Sequence, residues 1–158
     1  MSPLMRRRGF SLIELVIVVV IIGIIGAIAI PRMSRGAVGA ADSALTANLA
    51  VLRNAIDLYQ TEHMAFPEQA DLPNALIQYS NADGSSFSAT KDTANGIIYG
   101  PYLRAIPPLP VGAKKGSTTI AAADGAGVGW LYTEASGEIT ANCADSETDS
   151  AGKKYNTY

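Results

Sequence analysis

Few residues in this chain could do chemistry. His63 is the one histidine and Cys143 the one cysteine among 158 residues, so zinc centres built from several His or Cys ligands are excluded. A Ser-His-Asp triad would have to use His63, which reads as a solvated residue at a helix end beside Glu62. Gly112-Ala113-Lys114-Lys115-Gly116-Ser117-Thr118 has the composition of a phosphate loop in the wrong order, with the lysines ahead of the glycine. It reads as an exposed basic turn. The alternation Asp145-Ser146-Glu147-Thr148-Asp149 offers oxygens to calcium, a hard cation, and equally suits a solvated acidic tail. Asp124 and Asp145 are the side chains to test for calcium. No enzyme is expected.

One acid stands apart. Glu14 is the single charge in the 21 residues from Phe10 to Ile30, a run preceded by Arg6, Arg7 and Arg8 and closed by Pro31. A helix rises about 1.5 Å per residue, so this run covers roughly 30 Å, the hydrocarbon thickness of a bilayer. The arginines should hold the N-terminal side in the cytoplasm. An acid in such a segment costs about 2.5–3.5 kcal/mol at mid-membrane and needs a partner, unless it sits near enough to the interface to stay hydrated. A cut between Gly9 and Phe10 would supply one: a new α-amine one helical turn from Glu14. That cation could pair within the chain or with a neighbour, where it would set the register between subunits.

Arg6-Arg7-Arg8-Gly9-Phe10-Ser11-Leu12-Ile13-Glu14-Leu15, followed by an apolar helix and Pro31, resembles the prepilin signal of type IV pilins and type II secretion pseudopilins. The resemblance implies that a prepilin peptidase cuts after Gly9 and methylates the amine of Phe10. It implies that Glu14 directs docking of each new subunit, and that Pro31 marks where the helix bends or unwinds in a filament, since proline removes a backbone donor. Two export signals compete for the same stretch. A secretory signal peptide would be cut near Ala29 or Ala40, but its apolar core is 7–15 residues and this one is longer. Arg7-Arg8-Gly9-Phe10-Ser11-Leu12 also resembles a twin-arginine signal. A plain anchor would leave Glu14 without a role.

The elements that would position these residues follow from periodicity. Leu45, Leu49, Leu52, Ile56 and Tyr59 recur every three or four residues, with Asp42, Asn48, Arg53, Asp57 and Gln60 opposite. One long helix is expected from about Ser11 to His63, ended by Phe66-Pro67. Its first part is apolar all round, its second amphipathic, and Ser34–Ala47 is rich in the small residues that allow close helix packing. Asp71–Tyr79 reads as a short helix with Pro73 in its first turn, and Ser80–Asn95 as an exposed loop. The prolines of Gly100–Pro110 exclude a helix or central strand and leave a rigid connector. Val128–Thr133 and Glu138–Ala141 read as a β-hairpin that buries Val128, Trp130 and Tyr132 on one face. The tail from Cys143 to Tyr158 reads as loose.

The head resembles the major pseudopilin type through Phe66-Pro67, Gly100-Pro101-Tyr102-Leu103…Ile106-Pro107 and Gly129-Trp130-Leu131-Tyr132…Gly137-Glu138-Ile139. Where that type has Asp-Pro-Trp-Gly, this chain has Leu109-Pro110-Val111-Gly112. Major pseudopilins carry calcium in late head loops, and no matching motif occurs here. The lone Cys143 cannot form the C-terminal disulfide loop of many pilins, which favours the pseudopilus over the pilus.

The net charge is −2, and loss of the leader arginines would leave nine basic against fourteen acidic side chains. That balance argues against nucleic acid as a partner. The expected class is α+β and pilin-like: one long N-terminal helix, its first half transmembrane, on a small antiparallel sheet. Residues 1–9 are a leader, 10–30 a membrane and polymerisation segment, 31–65 the amphipathic continuation, and 66–158 a periplasmic head. The expected partners are copies of itself, other pseudopilins, the prepilin peptidase, an inner-membrane assembly platform and the membrane. The expected role is a fibre subunit in protein export. A surface pilus subunit and an exported or anchored domain remain the alternatives. No cofactor is expected apart from the open option of calcium.

Overall fold

The computed structural model describes residues 10–158, the side chains of residues 28–35 excepted. The chain divides into two compact units, Met1–Ala37 and Val38–Tyr158. Helix α1 spans Leu12–His63, the single long helix that the periodicity predicts. In the first unit its large apolar side chains from Leu15 to Ile25 are all exposed.

In the second unit the stripe behaves as its spacing requires. Leu45, Leu49, Leu52 and Ile56 are at most 1 % exposed. They pack with Leu72 and Leu76 of α2 (Leu72–Ile77), with Leu109 of the connector and Val111 just beyond it, and with the closing sheet. Burying one such leucine contributes roughly 1.5–3 kcal/mol. Pro73 lies in the first turn of α2, where a missing N–H is harmless.

Helix α1 ends at His63, and the next residue, Met64, adopts φ 60° and donates its N–H to the Gln60 carbonyl at 2.8 Å. This left-handed residue frees the chain from the helix, the role usually given to glycine. A methionine there carries no turn signature, so the sequence points only to the proline beyond it.

The expected hairpin forms with the expected bounds: β4 is Val128–Thr133 and β5 is Glu138–Ala141, antiparallel, with Tyr132 opposite Ile139. Val128, Trp130 and Tyr132 are buried on one face. The sheet has a further strand, β3 (Thr119–Ala121), which runs parallel to β4, so the small sheet is mixed rather than purely antiparallel. Gly129 allows the approach, because a Cβ there would stand 2.7 Å from the Ser117 carbonyl oxygen. A second ladder, β1 (Tyr79–Ser80) with β2 (Phe87–Ser88), folds part of the expected loop into a small antiparallel pair.

The connector has neither helix nor strand from Gly100 to Pro110. Its carbonyls are instead pinned by side chains. Trp130 Nε1 donates to Pro107 O at 3.0 Å and Asn48 Nδ2 to Pro108 O at 3.0 Å.

The tail does not hold to the loose reading. Tyr155 is 7 % exposed and sits in the core. Its hydroxyl donates to Asp42 Oδ1 at 2.7 Å, and Ser150 N and Oγ donate to Asp42 Oδ2. Arg53 Nη2 donates to the carbonyls of Ile139 and Tyr158 at 3.2 and 2.6 Å. Asp42 and Arg53, assigned by periodicity to the solvent face, are the helix residues that hold the tail. Composition reads a polar segment as unbound, whereas polar side chains here supply its attachment.

Candidate processing and assembly site

Gly9, the expected cleavage residue, lies outside the described residues together with Arg6, Arg7 and Arg8. Phe10 is described and exposed. Ser11 stands at the N-cap of α1: its carbonyl accepts from Glu14 N at 3.1 Å and Leu15 N at 3.3 Å. Its own N–H donates to Glu14 Oε2 at 2.8 Å. This is the return bond of a capping box, Ser-x-x-Glu at the head of an apolar run. Four amides of a first turn lack helical partners, and an acid there also complements the helix dipole. The signal for this capping role is the Ser-x-x-Glu spacing of Ser11-Leu12-Ile13-Glu14.

Capping does not exhaust the carboxylate. An ionised glutamate offers about four lone-pair sites on two oxygens, and only Oε2 accepts a bond among the described residues. Glu14 can therefore keep its own helix start and still face a cation through Oε1.

Behind it the helix is apolar on every side, which no water-exposed surface of this size tolerates alone. Among the described residues no helix is long and apolar enough to cross a membrane. From Leu12 to Ala27 the described side chains cover about 24 Å of rise, short of the roughly 30 Å of hydrocarbon. The rest of the expected segment lies outside the described side chains. Pro31 falls inside the helical span, and its side chain is among those not described.

The glycines of α1 complete the picture. A Cβ placed on Gly23, Gly26, Gly36 or Gly39 would meet nothing within 4 Å. Each costs a helix interior about 1 kcal/mol relative to alanine, and among the described residues no intrachain contact accounts for them.

The other singled-out residues are held in place structurally. Asp124 is ion-paired with Lys114 and accepts from Asn142 Nδ2 at 3.0 Å. Asp145 pairs with Lys154 at 2.6 Å and accepts from Asn156 Nδ2 at 2.8 Å. These partners hold both carboxyls below their usual range, the lysine bond first in each case. The two calcium candidates are thus in separate ion pairs, and among the described residues no three His, Cys, Asp or Glu side chains could hold a metal ion. Cys143 is free and buried, and burial pushes its thiol up to about 11, so it is a poor nucleophile.

His63 is half-buried rather than solvated. Its Nδ1 meets the Tyr59 carbonyl at 3.1 Å, and Nε2 meets Ser80 Oγ at 3.0 Å and Asn81 O at 3.1 Å. The ring stacks on Tyr59 at 3.9 Å. A Ser–His pair therefore exists that spacing did not suggest. Ser80 is wholly buried and the far ring nitrogen faces a carbonyl rather than a carboxylate, so the pair lacks both substrate access and the orienting acid of a triad.

Residues 4–30 match the family model described as the prokaryotic N-terminal methylation motif. Searches of curated proteins and of solved structures return no match.

Proposed function

We propose that this chain is a type II secretion pseudopilin, a subunit that polymerises from the inner membrane into a short fibre driving protein export across the outer membrane. The coarser part of this reading is firm ground: the N-terminal methylation motif at residues 4–30 supports a pilin-like subunit of a pilus or pseudopilus. The observation that carries assembly is Glu14 at the start of a helix whose every large apolar side chain from Leu15 to Ile25 is exposed in the single chain. Such a surface demands a lipid or helix partner, and the four uncontacted glycines suit close helix packing.

In this account a prepilin peptidase cuts between Gly9 and Phe10 and methylates Phe10. The segment 10–30 waits in the inner membrane with the head, residues 66–158, in the periplasm. Glu14 then meets the Phe10 amine of a neighbour as the subunit docks on the platform, and Pro31 lets the helix bend or unwind in the fibre. The role is mechanical rather than catalytic.

The pilus reading shares the motif. The free, buried Cys143 favours the pseudopilus, because no disulfide can close within the chain. Glu14→Leu tests assembly: the account expects a subunit that inserts and is cut but forms no fibre. Normal export by that variant would contradict it, and long surface fibres under immunogold would favour the pilus.

A further inference from the structure

Seven asparagines occur in the chain, and six of them are followed by a residue that carries a Cβ. Asn95 is followed by Gly96. An asparagine side-chain amide is open to attack by the backbone nitrogen of the next residue, which makes it a thermolabile group. A Cβ on that next residue crowds the attack, and glycine has none.

The fold leaves this pair open. Asn95 and Gly96 are exposed, in a turn whose ends, Asp92 and Ile97, exchange backbone hydrogen bonds at 2.9 and 2.8 Å. Gly96 has φ +71°, and a Cβ built on it would meet nothing within 4 Å. Its N–H donates no hydrogen bond among the described residues, so the attacking nitrogen is free to move. Other asparagines are restrained. Asn142 is buried, its Nδ2 shared between Asp124 Oδ1 and Val128 O. Asn81 has both ends of its amide bonded, Nδ2 to Ser85 Oγ and Oδ1 to Ser86 N. Asn48 and Asn54 lie inside α1, where the following N–H is tied into the helix ladder.

Across from the Asn95 amide stands Asp92. Its Oδ2 accepts from Asn95 Nδ2 at 2.7 Å, and its Oδ1 accepts from Ala94 N and Asn95 N at 3.0 and 3.2 Å. One carboxylate thus closes the turn, and one of its bonds needs the asparagine NH2. A carboxylate at position 95 has no proton to donate there. Two like charges would then face each other where a donor and an acceptor had met.

We propose that Asn95 is a site of spontaneous deamidation, which adds a negative charge and loosens the 92–97 turn. Gly96 N bonds to Asn95 Cγ, and the Cγ–Nδ2 bond breaks. The side-chain nitrogen leaves as ammonia with the proton from Gly96 N, and a succinimide ring remains. Water then adds to either carbonyl of the ring, giving aspartate or isoaspartate, with no oxidant or reductant consumed. An aged molecule differs from a new one by one charge on an exposed turn of the second unit. In the isoaspartyl form the main chain also runs through the Cβ. The proposal stands whether or not the chain assembles into a fibre.

The test ages the full chain in detergent micelles at mildly alkaline pH and then digests it with trypsin. The peptide from Asp92 to Arg104 has Asn95 as its one asparagine. Its conversion, read by mass as NH2 replaced by OH, is expected to run at least about tenfold faster than that of Asn81 or Asn142. Gly96→Ala should slow it by about tenfold. Asn95→Asp, made directly, should speed amide hydrogen exchange at Ala94 and Ile97 and leave the Trp130 region protected. Conversion no faster at Asn95 than at Asn81, or unchanged by Gly96→Ala, would overturn the site. Unchanged exchange in Asn95→Asp would overturn the loosening of the turn.

Discussion

The Phe66 ring lies over Gly137 so closely that a Cβ on the glycine would collide with it. Phe66 follows the end of α1, and Gly137 closes the β4–β5 turn at φ +70° with its N–H donating to Thr133 O at 2.9 Å. Helix exit and hairpin tip are therefore fitted to one another. Gly137→Ala must bear both a left-handed backbone, about 1–2 kcal/mol, and overpacking, about 1–3 kcal/mol. Urea unfolding should show a loss of about 2–5 kcal/mol. Adding Phe66→Ala should recover the overpacking part, and strictly additive single effects would contradict the contact.

The hairpin is also bonded to the same exit. Tyr132 Oη donates to Pro67 O at 3.0 Å in the buried interior. Burial, then the charge of Glu134, push this phenol up to about 12. An unfolded tyrosine ionises near about 10, so the native state keeps a proton that the unfolded chain gives up. Stability from this group is complete below about pH 10 and falls as pH rises toward 12. Tyr132→Phe should cost about 1–3 kcal/mol at neutral pH by orphaning a carbonyl and should flatten part of the alkaline decline. An alkaline profile identical to the native one would count against the assignment.

Asp42 ties the tail to α1 through Tyr155 and Ser150. The Tyr155 hydrogen bond comes first among the causes that hold the Asp42 carboxyl below its usual range. Its contribution is present above the ordinary carboxylate pKa and is lost as pH falls through the lowered one. Asp42→Ala should speed amide hydrogen exchange across residues 149–155 and leave the Trp130 region protected. Unchanged exchange in the tail would show that the aspartate does not hold it.

Met64 occupies a left-handed position at φ 60° with its side chain exposed. Glycine bears no Cβ penalty there. Met64→Gly should raise the unfolding free energy by about 1 kcal/mol, read as a higher urea midpoint. A lower midpoint would mean that the side chain stabilises this turn in some other way.

Patterns with a physical period were the legible part of the fold. The 3.6-residue stripe from Leu45 to Tyr59 became the buried face of α1, and the two-residue alternation of Val128, Trp130 and Tyr132 became the inner face of β4. What escaped had no period. Strand β3 is three residues long and depends on the missing side chain of Gly129. The tail is held by scattered polar bonds to Asp42 and Arg53, which composition cannot distinguish from solvation. At the candidate site the apolar run and Glu14 were plain, while the capping bond to Ser11 was written in a four-residue motif eclipsed by the charge itself.

The central claim is that the chain is cut between Gly9 and Phe10, methylated, and then assembled. The intact mass of the protein extracted from its native membrane tests the first two steps directly. The account predicts the mass of residues 10–158 plus one methyl group. An uncut chain, or a product starting near Ile30 or Ala41, would contradict it.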